Sequence, residues 1–216
     1  HQLLGGVLPQ YERMFTEAMD SAEQHLWKNV TVVPHAPSLS VVVSSMGHGR
    51  SQVSLEHLTC FSGGMMALGS RIVPDRRHYL NIARMTTETC YWGYNSSLTG
   101  LGAEALEFYH PQDKDLYRVV TDADGTRHRG PPVGDPFVGV RYIWHEDYRN
   151  RPEVIESVLY MWRTTGDPVW QERGWQMFAS WMTHCLTRSG TSTIYDVNAV
   201  PVRHSDSMES FVLAET

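Results

Sequence analysis

No apolar run in this sequence approaches the roughly 18 residues that cross a bilayer as a helix, so no membrane segment is expected within it. Positive charge is scarce as well. Lys and Arg number 18 against 24 Asp and Glu, a net charge of -6, and no basic cluster offers the phosphate-neutralising patch that nucleic acid demands. Cysteine is nearly missing: Cys60, Cys90 and Cys185 leave one unpaired under any connectivity, and that count alone assigns no redox compartment. Eleven His invite a search for a metal site, yet neither His-x3-His nor Cys-x2-Cys occurs. Gly-x-Ser-x-Gly is absent, and Gly63-Gly64 belongs to no phosphate loop. An initiator Met and a signal peptide are also missing, so any targeting segment is expected outside these residues.

What is present is aromatic and aliphatic bulk. The 216 residues suffice for one domain with a sizeable core, and seven Trp and ten Tyr suit either that core or a groove that stacks on sugar rings. Two sequons, Asn29-Val30-Thr31 and Asn95-Ser96-Ser97, point towards the secretory pathway.

The pattern along the chain is one of helices joined by irregular loops. Apolar positions from Leu8 to Trp27 (Tyr11, Met14, Phe15, Met19, Leu26) follow a helical stripe. Lys28 to Ser45 reads as extended, a hairpin around Pro34 and Pro37. Leu55 to Ile72 predicts a closely packed helix, ended by Pro74-Asp75, and His78 to Tyr94 another. Asp113, Asp115, Asp122, Asp124-Gly125 and Gly130-Pro131-Pro132 mark Tyr109 to Gly139 as loop with short strands at best; their spacing matches no calcium loop. Helices return at Arg151-Pro152-Glu153, stop at Gly166, and restart at Asp167-Pro168, an N-cap followed by Pro. Gly190 to Ala199 reads as a loop or hairpin, and Asp206 to Glu209 opens a last helix. No domain boundary is visible, and the expectation is an α/α arrangement in one domain.

Few residues suggest chemistry by themselves. Glu153 and Glu156 lie three apart in the first turns of a helix, on one face, where the dipole favours their charged forms. They can act as a base or bind sugar hydroxyls; equally, acidic residues simply favour helix N-termini. Asp206 and Glu209 form a capping box that needs no function to explain it. His57, before an apolar stretch, reads first as a satisfied core histidine.

The combination says more. Five segments, in order, resemble the catalytic domain of class I α-1,2-mannosidases, glycoside hydrolase family 47. His57-Leu58-Thr59-Cys60-Phe61 with Met66 to Gly69 is similar to the family's His-Leu-x-Cys-Phe segment. Thr89-Cys90-Tyr91 is similar to its second cysteine, and Thr99 to Glu104 to its Thr-Gly-Leu-x-Pro-Glu stretch, with Ala103 in place of Pro. Arg151 to Ser157 resembles Arg-Pro-Glu-x-x-Glu-Ser, continuing through Trp162 to Pro168. Met208 to Phe211, with Ala214 to Thr216, resembles Met-Glu-Ser-Phe.

The resemblance implies an all-α fold, part of an (α/α)7 barrel with short β-hairpins in its loops, and calcium-dependent removal of α-1,2-linked mannose from high-mannose N-glycans with inversion. It casts Glu153 as the general base and Arg151 as a group that positions the site. Glu104, Glu156, Glu209 and His57 would line the mannose subsite or the carboxylate shell around the calcium-bound water. It pairs Cys60 with Cys90 and leaves Cys185 free, in accord with the endoplasmic reticulum, the Golgi or secretion. Some relatives act mainly as glycan-recognition factors, which is the alternative reading. Three family features are missing: the Phe-Glu-x-x-Ile-Arg segment carrying the general acid, the Arg-x-Asp-Ser segment, and the Asn-Thr-Glu-Ala-His-Pro segment with the calcium-ligating Thr, which Thr216 does not replace. The expectation is therefore that residues 1–216 are part of one catalytic domain, truncated at both ends and inactive alone.

Overall fold

The computed structural model describes residues 3, 5–30, 39–45, 51–108, 119–121, 127–129 and 140–216. The Pro34–Pro37 hairpin tip and the aspartates and glycines of the 109–139 loop, from Asp113 to Pro132, lie outside the described residues.

The helical stripe near the start becomes α1 (Pro9–His25), with Pro9 in its first turn, where a missing N–H costs no hydrogen bond. The valine-rich stretch forms the expected antiparallel pair, β1 (Trp27–Val30) with β2 (Leu39–Val42), burying Val30, Leu39 and Val41. β3 (Ser44–Ser45) pairs with β4 (Ser51–Gln52). The next element departs from expectation. Ser54–Glu56 is a strand, β5, and His57–Cys60 a 3-10 turn; α2 begins only at Phe61 and ends at Ile72. Leu55 is buried on the strand, whereas Leu58 on the 3-10 turn is exposed.

α3 (Tyr79–Asn95), α4 (Glu153–Thr165) and α5 (Val169–Cys185) complete the helical layer. α2 packs against both α3 and α4, and α4 against α5. The glycine pair of α2 permits this approach. A Cβ on Gly64 would stand 2.9 Å from the Tyr160 ring and 3.3 Å from Ser157 Cα, and one on Gly63 would collide with Thr87 Oγ1. Gly64 N–H donates instead to Ser157 Oγ at 2.9 Å, and Ser157 donates on to the Cys60 carbonyl. Trp170, Met161, Met66 and Tyr79 are fully buried at these contacts. Gly166 ends α4 with φ 71°, a left-handed stop that glycine adopts without strain. The Asp167 carboxylate accepts from Val169 N–H at 3.1 Å, although the helix begins one residue later than expected, with Pro168 at its N-cap.

A three-stranded antiparallel sheet goes beyond the expected hairpins. β5, β6 (Ala105–Phe108) and β9 (Val140–His145) align so that Glu56 faces Ala105 and Ala105 faces His145. β7 (Val119–Thr121) pairs with β8 (Arg127–Arg129), and β10 (Leu186–Thr187) with β11 (Gly190–Thr191). The last helix, α6, covers only Phe211–Ala214. The capping box does not form: Asp206 takes φ 54° and Glu209 accepts from the Ser207 hydroxyl at 3.3 Å. Among the described residues no helix is long and apolar enough to cross a membrane.

Candidate active site

One end of the three-stranded sheet gathers residues that are distant in sequence. Antiparallel pairing sets the end of β5, the start of β6 and the end of β9 side by side. His57 follows β5, Glu104 precedes β6, and the segment Glu146 to Arg151 follows β9. Main-chain bonds fasten the three: His57 N–H donates to the Glu104 carbonyl at 3.0 Å, and Glu104 N–H to the Asp147 carbonyl at 2.9 Å. Tyr148 exchanges backbone bonds of 3.0 and 3.1 Å with Ile194. Asn150, buried with φ 57°, turns the chain into the first turn of α4, which presents Glu153.

His57 is almost wholly buried, its side chain 2% exposed, and both ring nitrogens are engaged. Nδ1 lies 3.0 Å from Glu153 Oε2, and Nε2 lies 2.6 Å from the Tyr94 hydroxyl. Burial works against the charge of Glu153. The His57 hydrogen bond, the residue's own backbone N–H at the helix start and the nearby Arg151 charge outweigh it, and hold the carboxyl below its ordinary value. Glu156 behaves oppositely. Burial, then the Glu215 and Glu153 charges, raise its pKa, so two carboxyls one turn apart are pushed in different directions.

Arg151 donates through Nε to Glu104 Oε1 at 2.5 Å and lies over the Phe211 ring, 5.5 Å from its centroid. The second oxygen of Glu104 is buried without a hydrogen-bond partner among the described residues. Thr216 lines a small cavity with Tyr94, Tyr148, Asn150 and Arg151.

His57, Glu153, Arg151 and Glu104 thus form one connected group, with Glu156 on the next turn of α4. Glu209 stands apart. It is exposed, on a cleft of about 620 Å³ with Tyr142, Trp144, Asp147 and Arg149, and its charge, like that of Glu104, acts on Arg149. Both sequon asparagines are exposed, Asn29 on β1 and Asn95 at the end of α3. Cys60 and Cys90 are bonded, with Cα atoms 5.9 Å apart, joining the 3-10 turn to α3; Cys185 is free and buried. Tyr94 and Tyr148 escaped the sequence reading. Their apolar rings fit a core stripe, and nothing in their spacing reveals a hydroxyl aimed at His57.

Among the described residues, three potential metal-ligand atoms lie within 4.8 Å of one another at Asp20, Glu23 and His78. Asp20 is committed elsewhere. It accepts from Arg76 at 2.8 and 3.1 Å and from the Tyr79 hydroxyl, and the guanidinium opposes a cation there.

The family model for Glycosyl hydrolase family 47 matches residues 1–216. Mannosyl-oligosaccharide 1,2-alpha-mannosidase IC of Homo sapiens is 32% identical over 95% of this chain and 28% of that protein. Probable mannosyl-oligosaccharide alpha-1,2-mannosidase 1B of Aspergillus niger is 32% identical over 95% of this chain and 36% of its own length. The solved alpha-1,2-mannosidase from Trichoderma reesei superposes with a TM-score of 0.76 at 25% identity, covering 95% of this chain and 40% of that one. The chain therefore spans about a third of the curated relatives it matches.

Proposed function

As the chain belongs to glycosyl hydrolase family 47, we propose that it is the base-bearing part of an inverting α-1,2-mannosidase acting on high-mannose N-glycans, within an (α/α)7 barrel. The observation that carries this reading is the His57–Glu153 contact of 3.0 Å at the start of α4, with Arg151 and Glu104 beside it. A general base must be ionised and within reach of a water, and Glu153 is held below its ordinary pKa while its side chain stays 13% exposed.

In inverting hydrolysis a water attacks the anomeric carbon from the face opposite the departing oxygen. Glu153 takes one proton from that water as its oxygen bonds to carbon. The glycosidic C–O bond breaks, and a carboxylic acid protonates the leaving oxygen. In this proposal the acid comes from outside residues 1–216, so the chain alone releases no mannose. Glu104 offers its unpartnered oxygen to a sugar hydroxyl, and Arg151 fixes its other oxygen in place.

Calcium dependence belongs to the same proposal, but among the described residues the site's carboxylates do not converge into a cage for the ion. Calcium takes about six to eight oxygens. Among the described residues the one group of three converging ligand atoms is Asp20, Glu23 and His78, which leaves out Glu104, Glu153, Glu156 and Glu209. A secretory location is supported by the Cys60–Cys90 bond and the two exposed sequon asparagines.

The test is mannose release from α-1,2-mannobiose by the full-length protein that contains this chain, compared with its Glu153→Gln variant. Binding of the disaccharide without release would turn the reading towards glycan recognition.

A further inference from the structure

Behind the His57–Glu153 contact lies a set of buried hydroxyls that proton abstraction from water does not itself require. Tyr94 and Tyr148 are both buried, with rings 5.9 Å apart and edge-on at 83°. The His57 ring lies 5.7 Å from Tyr94 and 6.2 Å from Tyr148. Two constraints hold the Tyr94 ring. The Cys60–Cys90 bond ties the turn carrying His57 to α3, and Cys90 lies one helical turn before Tyr94 on the same face. Gly102 packs under the ring so closely that a Cβ there would overlap it.

We infer that Tyr94, backed by Tyr148, is the positioning residue that fixes the tautomer of His57, so that its Nδ1 proton is committed to Glu153. The inference rests on the reading of Glu153 as the base, although the state of the ring can be measured without turnover.

The hydrogen-bond inventory carries the argument. An ionised carboxylate only accepts, so the nitrogen 3.0 Å from Glu153 must hold a proton. A neutral imidazole holds one proton, which leaves Nε2 as an acceptor. The donor it meets at 2.6 Å is the Tyr94 O–H. Burial keeps that phenol protonated, and the Tyr148 ring packs edge-on against it. With Phe at position 94, Nε2 has no donor. The ring can then place its proton on Nε2 and turn a bare lone pair towards the Glu153 carboxylate, which removes the hydrogen bond that holds that carboxyl below its ordinary value. Besides His57, the charged neighbours that act on Glu153 and its helix turn are Arg151, Glu156 and, beyond Glu156, Glu215.

The experiment uses the full-length protein labelled with 15N-histidine, with the His57 signal assigned by its loss in His57→Gln. At neutral pH the expected spectrum has a protonated Nδ1 and an unprotonated Nε2. Tyr94→Phe should move Nε2 towards the protonated shift and lower kcat about tenfold with KM within about twofold. It should also carry the acid limb of the kcat profile to higher pH, a change that partial unfolding would not produce. A wild-type ring with its proton on Nε2 overturns the inference, as does a folded Tyr94→Phe protein whose ring signals and acid limb do not move. If the full-length protein releases no mannose, the hydrolytic reading fails, while the wild-type spectrum still decides the tautomer.

Discussion

A carboxylate at a helix start is ordinary, and Glu153 and Glu156 share that setting; their surroundings make them different. Glu153 meets a buried imidazole, whereas Glu156 meets burial and two carboxylates. The difference has a pH signature. The folded-state pKa of Glu153 lies below its unfolded value, so its contribution to stability is full above the unfolded pKa. It is lost as pH falls through the folded pKa. Glu156 is raised, so its contribution is present below its unfolded pKa and lost as pH rises through the folded one. Melting curves across the carboxylate range should therefore show Glu153→Gln losing less stability on acidification than the wild type. Equal losses would remove the argument that His57 holds the charge. The sequence made Glu153 and Glu156 visible through helix position and motif. It could not separate them, because desolvation and the His57 contact are tertiary facts.

Among the elements, the sheet of β5, β6 and β9 has the largest consequence for the site and was the least legible. Its strands are short, and Ser54–Glu56 straddles the start of the Leu55–Ile72 run that periodicity assigns to a helix. Helices with strong punctuation were readable: Gly166 and Asp167-Pro168 stop and restart the chain within one residue of where the residues predict. The α2 glycines were legible as close packing but not as to partner. Gly64→Ala should destabilise the protein by about 1–3 kcal/mol, because Tyr160 and the Ser157 backbone must move to admit a methyl group. A variant melting within error of the wild type would show that α2 and α4 are more loosely packed than described. The Cys60–Cys90 bond spans 30 residues, and chain-entropy reasoning assigns about 3–4 kcal/mol to such a loop. The double Cys→Ser variant should lose stability of that order in chemical denaturation.

At the scale of the whole molecule, the chain covers 40% of the solved Trichoderma reesei enzyme that it resembles. Its surface carries an apolar groove of about 360 Å³ between α1 and α2, lined by Tyr11, Phe15, Phe61, Leu68 and Ile72. Trp175 and Phe178 on α5 are also exposed. Apolar patches of this kind in soluble proteins mark interfaces. Residues 1–216 expressed alone should therefore bind a hydrophobic dye and self-associate, and a monodisperse, dye-silent chain would count against the partial-domain reading. The overall assignment was legible because five ordered motifs recur. Barrel closure is implied by the family resemblance alone, since it depends on packing that no local pattern encodes. The central claim is that Glu153 is the base of an inverting mannosidase, and mannose release from α-1,2-mannobiose by the full-length protein tests it most directly. Turnover should yield β-mannose first and fall about 100- to 10,000-fold in Glu153→Gln with little change in KM. Unchanged turnover in that variant, or α-mannose as the first product, would contradict it.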